Sequence, residues 1–217
     1  MLKCVPKRLL MARNKPTAGI VLAAGMSSRF GGPKQLLELG GKSVLEWTLN
    51  ACMDSKIERI YLILGYKHQQ ILETLSEKVR HPRLNIIVNR NYRKGQSASL
   101  QAGILEIRDT FPSVMFILGD QPLVDSPTIN HLLECFWASE KNICVPFYKN
   151  KRGNPTIFSA MFYDKLSSIK GDIGARGIIE DHPDQVLRVA VKRSSFFHDI
   201  DTQKDFEKAQ SLIKYPG

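Results

Sequence analysis

The residues best suited to chemistry in this sequence are two cations, Arg29 and Lys34, carried among very small neighbours in Gly25-Met-Ser-Ser-Arg-Phe-Gly-Gly-Pro-Lys34. Gly25, Gly31 and Gly32 keep side-chain bulk away so that backbone N–H groups can approach an anion, and Ser27 and Ser28 add hydroxyl donors. A polyphosphate suits such a cradle. The same composition also serves an ordinary solvated strand-to-helix loop, so the loop alone leaves both readings open. Two nucleotide fingerprints are absent: no Gly-Lys-Ser/Thr follows the glycines, and no Gly-x-Gly-x-x-Gly follows the apolar run. A carboxylate comes much later, in Gly119-Asp-Gln-Pro122 directly after apolar residues 114–118. There Asp120 could hold a divalent cation against phosphate oxygens, or simply form a turn.

These side chains need elements to hold them. Residues 20–24 are an apolar run of strand length that feeds the loop. Ser43 reads as the N-cap of a helix through Cys52. Residues 59–64 and 84–88 read as strands, with a helix from about residue 68 to 76 between them that carries Ile71, Leu72 and Leu75 on one face. This alternation predicts right-handed crossovers and a largely parallel sheet with helices on both faces, and ligands gather at the carboxyl ends of such strands. At one such end, residues 89–99 carry Arg90, Arg93 and Lys94, then Gly95 and a helix opened by serines, running to about residue 108. Its free N–H groups suit a polar or anionic group, or an ordinary capped helix start.

Further along, Ser126 reads as the cap of a helix to about residue 139. Residues 143–147 and 156–158 read as a hairpin-like pair that adds antiparallel character to one edge of the sheet. A short helix covers residues 162–169, Gly171-Asp-Ile-Gly-Ala-Arg-Gly177 opens another with anion-binding character, and residues 186–191 form the last strand. Phe197-His-Asp-Ile-Asp-Thr202 then precedes a helix whose Phe206, Ala209 and Ile213 share a face. Asp199 and Asp201 fall on one side of an extended segment, and Thr202 is a good cap. The fold class predicted is α/β: one three-layer α/β/α domain with a Rossmann-like, mostly parallel sheet and an antiparallel edge.

At 217 residues the chain can form one sizeable domain with a continuous core. The net charge of +10 would suit nucleic acid, a membrane surface or an anionic small substrate, or reflect a solvated surface. Lys3, Lys7, Arg8, Arg13 and Lys15 concentrate part of the excess in residues 1–17, read as a basic N-terminal arm ahead of a domain over 18–217. No aromatic residue interleaves with them, so nucleic acid is not the expected partner. The apolar part of this arm is too short for a signal-peptide core, and no window approaches a membrane span. Cys4, Cys52, Cys135 and Cys144 lie far apart, which reads as reduced thiols in a cytoplasmic protein.

Leu22 to Lys34 matches, at every specified position, Leu-Ala-Ala-Gly-x-Ser-x-Arg-x-Gly-x-x-Lys. That pattern resembles the phosphate loop of the nucleotidyltransferases that make activated sugars, alcohols and cofactors from nucleoside triphosphates. The chain is most similar to their molybdenum cofactor cytidylyltransferase branch, through Lys34-Gln-Leu-Leu37, Gly95-Gln-Ser-x-Ser99, Gly119-Asp-Gln-Pro122, Arg152-Gly-Asn-Pro155 and Gly171-Asp-Ile-Gly-Ala-Arg176. The resemblance implies a nucleotide-diphospho-sugar transferase type of fold. It places nucleotide binding at Leu22, Ala23, Ala24, Gly25, Ser27, Ser28, Gly31, Gly95 and Ser99, with Arg29 and Lys34 catalytic. It makes Asp120 and Asp201 ligands of Mg²⁺ and puts Arg152, Asn154, Asp172 and Arg176 on the acceptor side. Where the family continues Asp-Ile-Asp-Thr with Pro-Glu-Asp, this chain has Gln203-Lys-Asp205, which questions the geometry of that helix start.

The implied reaction joins CTP to molybdopterin and releases pyrophosphate. A phosphate acceptor is already ionised at neutral pH, so positioning and charge neutralisation remain as the protein's tasks. Guanylyl transfer from GTP to the same cofactor and nucleotidyl transfer to a sugar or alcohol phosphate are the alternatives within the class. A non-enzymatic molybdenum cofactor carrier or chaperone, serving a molybdenum hydroxylase as partner, is the alternative outside it.

Overall fold

The computed structural model describes residues 15–26, 32–75, 80–192 and 198–214. Most of the basic arm, with Cys4, lies outside the described residues, as do Ser27, Ser28, Arg29 and Gly31.

The chain opens with β1 (Thr17–Ala23), then a short antiparallel ribbon of β2 (Glu38–Leu39) and β3 (Lys42–Ser43) leading into α1 (Val44–Met53). As expected, Ser43 caps α1: its hydroxyl accepts from Glu46 N while the Glu46 carboxylate accepts from Ser43 N, a reciprocal box that satisfies two otherwise free donors. Next come β4 (Arg59–Leu64), α2 (His68–Leu75), β5 (Leu84–Val88), α3 (Gln96–Ile107), β6 (Ser113–Leu118) and α4 (Ser126–Trp137). The cap of α4 is Asp125, whose carboxylate accepts from Thr128 N at 2.9 Å, and not Ser126. The remaining elements are β7 (Ile143–Tyr148), β8 (Lys151–Arg152), β9 (Thr156–Ser159), α5 (Tyr163–Ser168), α6 (Arg176–Asp181), β10 (Val186–Ala190) and α7 (Gln203–Lys214).

The strand order is β10-β7-β9-β6-β1-β4-β5, with β8 attached to β7. β1, β4, β5 and β6 run parallel, as does β10 beside β7. The expected antiparallel edge is instead an internal strand: β9 lies between β6 and β7, antiparallel to both. After β7 the chain turns back, β8 pairs with Phe147 and Tyr148, and Gly153 N still reaches Pro146 O. Pro155 then offers no N–H to continue that ladder. Beyond it the chain bridges Ile143 and Cys144 on one side and residues 113–116 on the other.

Period-two alternation divides the sheet's apolar residues between its faces. Val21, Leu62, Met115 and Ile117 pack with Leu45, Leu49, Ile71, Ile129 and Leu132, so α1, α2 and α4 cover that side. Ile20, Ile63, Val114 and Phe116 pack with Leu100, Ile104, Leu166 and Ile178 of α3, α5 and α6 on the other. A third cluster, Leu39, Val44, Ile200 and Ala209 with Phe206 and Ile213 against it, docks α7 on the β2–β3 ribbon.

From β1 the chain proceeds to β4 and β5 on one side, and only later, through α3, to β6 on the other. The loops leaving β1 and β6 therefore diverge, and their carboxyl ends form a crevice, the usual ligand position in an open parallel sheet.

Candidate active site

That crevice is a cleft of about 800 Å³ whose lining includes Leu22, Ala23, Ala24, Gly25, Lys34 and Asp120. Its floor depends on how closely β1 and β6 end together. Gly119 N donates to Leu22 O at 2.9 Å. A Cβ on Gly119 would sit 2.9 Å from the Cβ of Ala23, so only glycine allows that approach. The buried Gln35 amide donates to Ala23 O at 3.0 Å and ties the turn carrying Lys34 to the end of β1.

Asp120 follows Gly119, and its carbonyl accepts from Ile200 N at 3.1 Å. With Ile200 buried in the third cluster, its neighbours Asp199 and Asp201 both line the cleft beside Asp120. The helix start after Asp201 closes without the proline. Thr202 N donates to the Asp205 carboxylate at 2.8 Å and Asp205 N to the Thr202 hydroxyl at 3.3 Å, so a carboxylate at the third helical position completes the cap.

Lys34 joins the two loops. Its Nζ lies 2.5 Å from Asp120 Oδ2 and 2.7 Å from Asp201 Oδ1. Burial on its own would lower the pKa of this ammonium, but the attraction and hydrogen bonds of Asp120 and Asp201 outweigh it, and the net shift is upward. The ammonium therefore stays charged. Two carboxylate oxygens from segments 81 residues apart in sequence thus converge on one cation position, 120 to 201. This donor set fits Mg²⁺, which takes one or two carboxylates and completes its shell with water and substrate phosphates. Among the described residues, no group of three or more His, Cys, Asp or Glu converges to enclose a metal ion unaided.

Asp199, to which the sequence gives no role of its own, stands beside this pair. Burial first, and the neighbouring Asp120 charge second, push its carboxyl up to about 6, against the hydrogen bond it accepts from Gln121 Nε2. The Asp-x-Asp spacing was the available signal for it, since period-two logic already put both carboxylates on one side.

The far wall comes from the β5–α3 connection. Gly95 and Ser99 both line the cleft, with Arg93 and Lys94 of the basic turn, and with Tyr92 and Gln96, to which the sequence gives no site role. Gly95 has φ of +98°, and a Cβ there would meet Gly171 O at 2.6 Å. The free N–H groups at the start of α3 are not left for a ligand: Gln96 N donates to the Asp172 carboxylate at 3.1 Å and Ser97 N to Gly171 O at 3.2 Å. The Ser99 hydroxyl accepts from Asn89 Nδ2 at 3.0 Å in a buried contact.

A second hollow of about 320 Å³ adjoins the first and shares Leu22, Gln96 and Leu118 with it. Arg152, Asn154 and Arg176 line it. Glu180 holds the two guanidiniums, at 2.8 Å from Arg176 and 3.6 Å from Arg152. Asp172 lines the first cleft, so among the described residues it does not stand with the other three. The chemistry this arrangement can support is a displacement between two anionic groups. The shared wall would be their meeting point, a carboxylate pair with its cation would lie at one end, and two arginines would lie at the other. No described helix is long and apolar enough to cross a membrane.

Comparison with known proteins gives a consistent result. A family model described as MobA-like NTP transferase domain matches residues 19–186. A "Probable molybdenum cofactor guanylyltransferase" of Thermococcus sibiricus is 31% identical over 156 residues, 71% of this chain and 73% of that protein. The "Purine catabolism protein PucB" of Bacillus subtilis is 25% identical over 203 residues, 90% of this chain and 96% of that protein. Among solved structures, Rv0371c of Mycobacterium tuberculosis H37Rv superposes with a TM-score of 0.79 at 26% identity, covering 90% of this chain and 98% of that one. A complex of the same protein with manganese gives a TM-score of 0.77 at 24% identity, over 90% of this chain and 98% of that one.

Proposed function

Because the chain belongs to the MobA-like NTP transferase family, we propose that it transfers the cytidylyl group of CTP to the phosphate of molybdopterin and releases pyrophosphate. The observation that carries this reading is the convergence of Lys34, Asp120 and Asp201 in the cleft between β1 and β6, beside a second hollow lined by Arg152, Asn154 and Arg176. The choice of CTP rests on the motifs shared with the cytidylyltransferase branch, from Lys34-Gln-Leu-Leu37 to Gly171-Asp-Ile-Gly-Ala-Arg176.

In this reading the backbone from Leu22 to Gly25 and the Gly95–Ser99 segment seat the nucleotide. Lys34 and Arg29 neutralise the triphosphate as charge moves onto the leaving group. A Mg²⁺ held by Asp120 and Asp201 would add further neutralisation of the phosphate oxygens. Arg152 and Arg176 orient the acceptor phosphate. One of its oxygens forms the new bond to the α-phosphorus, and the bond from that phosphorus to the bridging oxygen breaks, with the electron pair leaving on pyrophosphate. No proton has to be removed from an ionised phosphate, which accords with an array of cations and carboxylates that positions and neutralises the reacting phosphates.

Guanylyl transfer from GTP is the second reading, favoured by the name of the Thermococcus sibiricus relative. Pyrophosphate release from CTP and from GTP, each with Mg²⁺ and molybdenum cofactor, is the test. Release from CTP alone supports the first reading and release from GTP alone the second. Release from neither overturns both and leaves the cofactor carrier, which would bind molybdenum cofactor without turnover.

A further inference from the structure

Lys34 occupies the place that a divalent cation would need. An ion coordinated by Asp120 and Asp201 would lie about 2.0–2.1 Å from their oxygens, and the Lys34 nitrogen already lies 2.5 and 2.7 Å from one oxygen of each. At those two oxygens the ammonium and a divalent ion exclude each other, since each needs the space between Asp120 Oδ2 and Asp201 Oδ1. The ammonium is well sheltered, its side chain only 13% exposed, and its approach is fixed from below: Leu36 N donates to Pro33 O at 3.0 Å and the Gln35 amide grips the end of β1. The turn is therefore anchored, so any re-aiming of the ammonium falls to rotations about the long lysine stem.

Building on the reading of this cleft as a triphosphate site, we propose that the Lys34 ammonium is an internal competitor for the divalent cation, so that the cation enters together with the nucleotide and not before it. A cation arriving alone must displace the ammonium and then face its charge across the same two carboxylates. A triphosphate changes that balance, because its oxygens give the ammonium a new anionic partner in the same cleft, where Arg93 and Lys94 also contribute to the wall. Cation and nucleotide thereby strengthen each other's binding, and the coupling is reciprocal. Such coupling also limits occupation of the empty enzyme by stray divalent ions, which would otherwise bind a bare carboxylate pair.

Mn²⁺ titrations of the full chain, read by the electron paramagnetic resonance signal of the free ion, test this directly. In wild type, a CTP analogue with a methylene bridge between the α and β phosphates should tighten Mn²⁺ binding by at least about tenfold beyond the Mn²⁺ that the analogue takes up in the same titration without protein. Without nucleotide, Lys34→Gln and Lys34→Met should each bind Mn²⁺ at least about tenfold more tightly than wild type, and adding Asp120→Asn should remove the gain. The proposal is overturned if the neutral variants bind Mn²⁺ no better than wild type. It is equally overturned if the analogue leaves wild-type Mn²⁺ affinity unchanged although a separate titration shows the analogue bound. Pyrophosphate assays separate this from the transfer reading. Tighter Mn²⁺ binding by the variants without wild-type turnover keeps the competitor and removes the transferase, whereas turnover with unchanged Mn²⁺ affinity does the reverse.

Discussion

Replacing Asp120 by Asn removes one charge and almost no volume, which makes it the sharpest perturbation of the carboxylate pair. Asp120 is 20% exposed and Asp201 51% exposed, so the same charge acts through a less water-like medium at position 120. A unit charge pair about 4 Å apart at an effective dielectric of ~20 is worth about 4 kcal/mol, falling to about 1 kcal/mol in bulk water. With about 1.36 kcal/mol per tenfold in rate, Asp120→Asn should lower kcat/KM by ~10³ and Asp201→Asn by ~10 to 10². The assay is steady-state pyrophosphate release with saturating Mg²⁺ and acceptor. The fold should survive, because the backbone bond from Ile200 N to Asp120 O does not involve the side chain. A thermal midpoint within about 4 °C of wild type would confirm that, being on the order of 1 kcal/mol for a chain of this size. An Asp120→Asn enzyme within about threefold of wild-type kcat/KM would refute the reasoning, and so would a larger loss from Asp201→Asn.

Other expectations follow from particular contacts. Arg152, three-quarters buried in the second hollow, should matter to the acceptor alone: Arg152→Ala raises the KM for molybdenum cofactor by about tenfold or more and leaves the nucleotide KM within about twofold, measured by varying each substrate in turn. Gly95→Ala puts a Cβ against the Gly171 carbonyl at a left-handed φ, and should lower stability by about 1–3 kcal/mol in urea unfolding while weakening nucleotide binding. The buried Cys52 thiol is pushed up to about 12 and Cys144 is also raised, both chiefly by burial, whereas Cys135 is half-buried. In a Cys4→Ser background, a thiol reagent at pH 8 should label Cys135 first and leave Cys52 and Cys144 until the chain unfolds. Since the thiolate reacts and a raised pKa lowers its fraction, the Cys135 rate should still be climbing above pH 9.

Much of this site could be read along the chain, and the reason is local. The glycine and serine run after β1, the Gly119-Asp-Gln-Pro122 turn after β6 and the Asp199-Ile-Asp201 alternation each carry their chemistry within a few residues. Strand and helix positions were legible for the same cause: Arg59–Leu64 and Leu84–Val88 are short apolar runs bounded by turn residues, and they form strands over those residues. Two features that depend on distant contacts were not legible. Asp172 shares its motif with Arg176, yet it turns to the first residue of α3 and lines the first cleft. The strand after Pro155 could be recognised as the antiparallel partner of β7, but not as the partner of β6, since joining β6 needs a register that no local pattern encodes.

The sequence by itself determined which charged and small residues stand together after β1, after β6 and ahead of α7, because residue type, period and turn chemistry act over a few positions. It determined the alternating apolar faces of the strands, which call for helices on both sides of the sheet. Only the tertiary structure decided that Lys34 spans Asp120 and Asp201, that Asp199 loses much of its water, and that two hollows share the wall of Leu22, Gln96 and Leu118. Those outcomes depend on distances between segments far apart in the chain and on the solvent excluded between them, and both exist only once the sheet order brings β1 and β6 side by side.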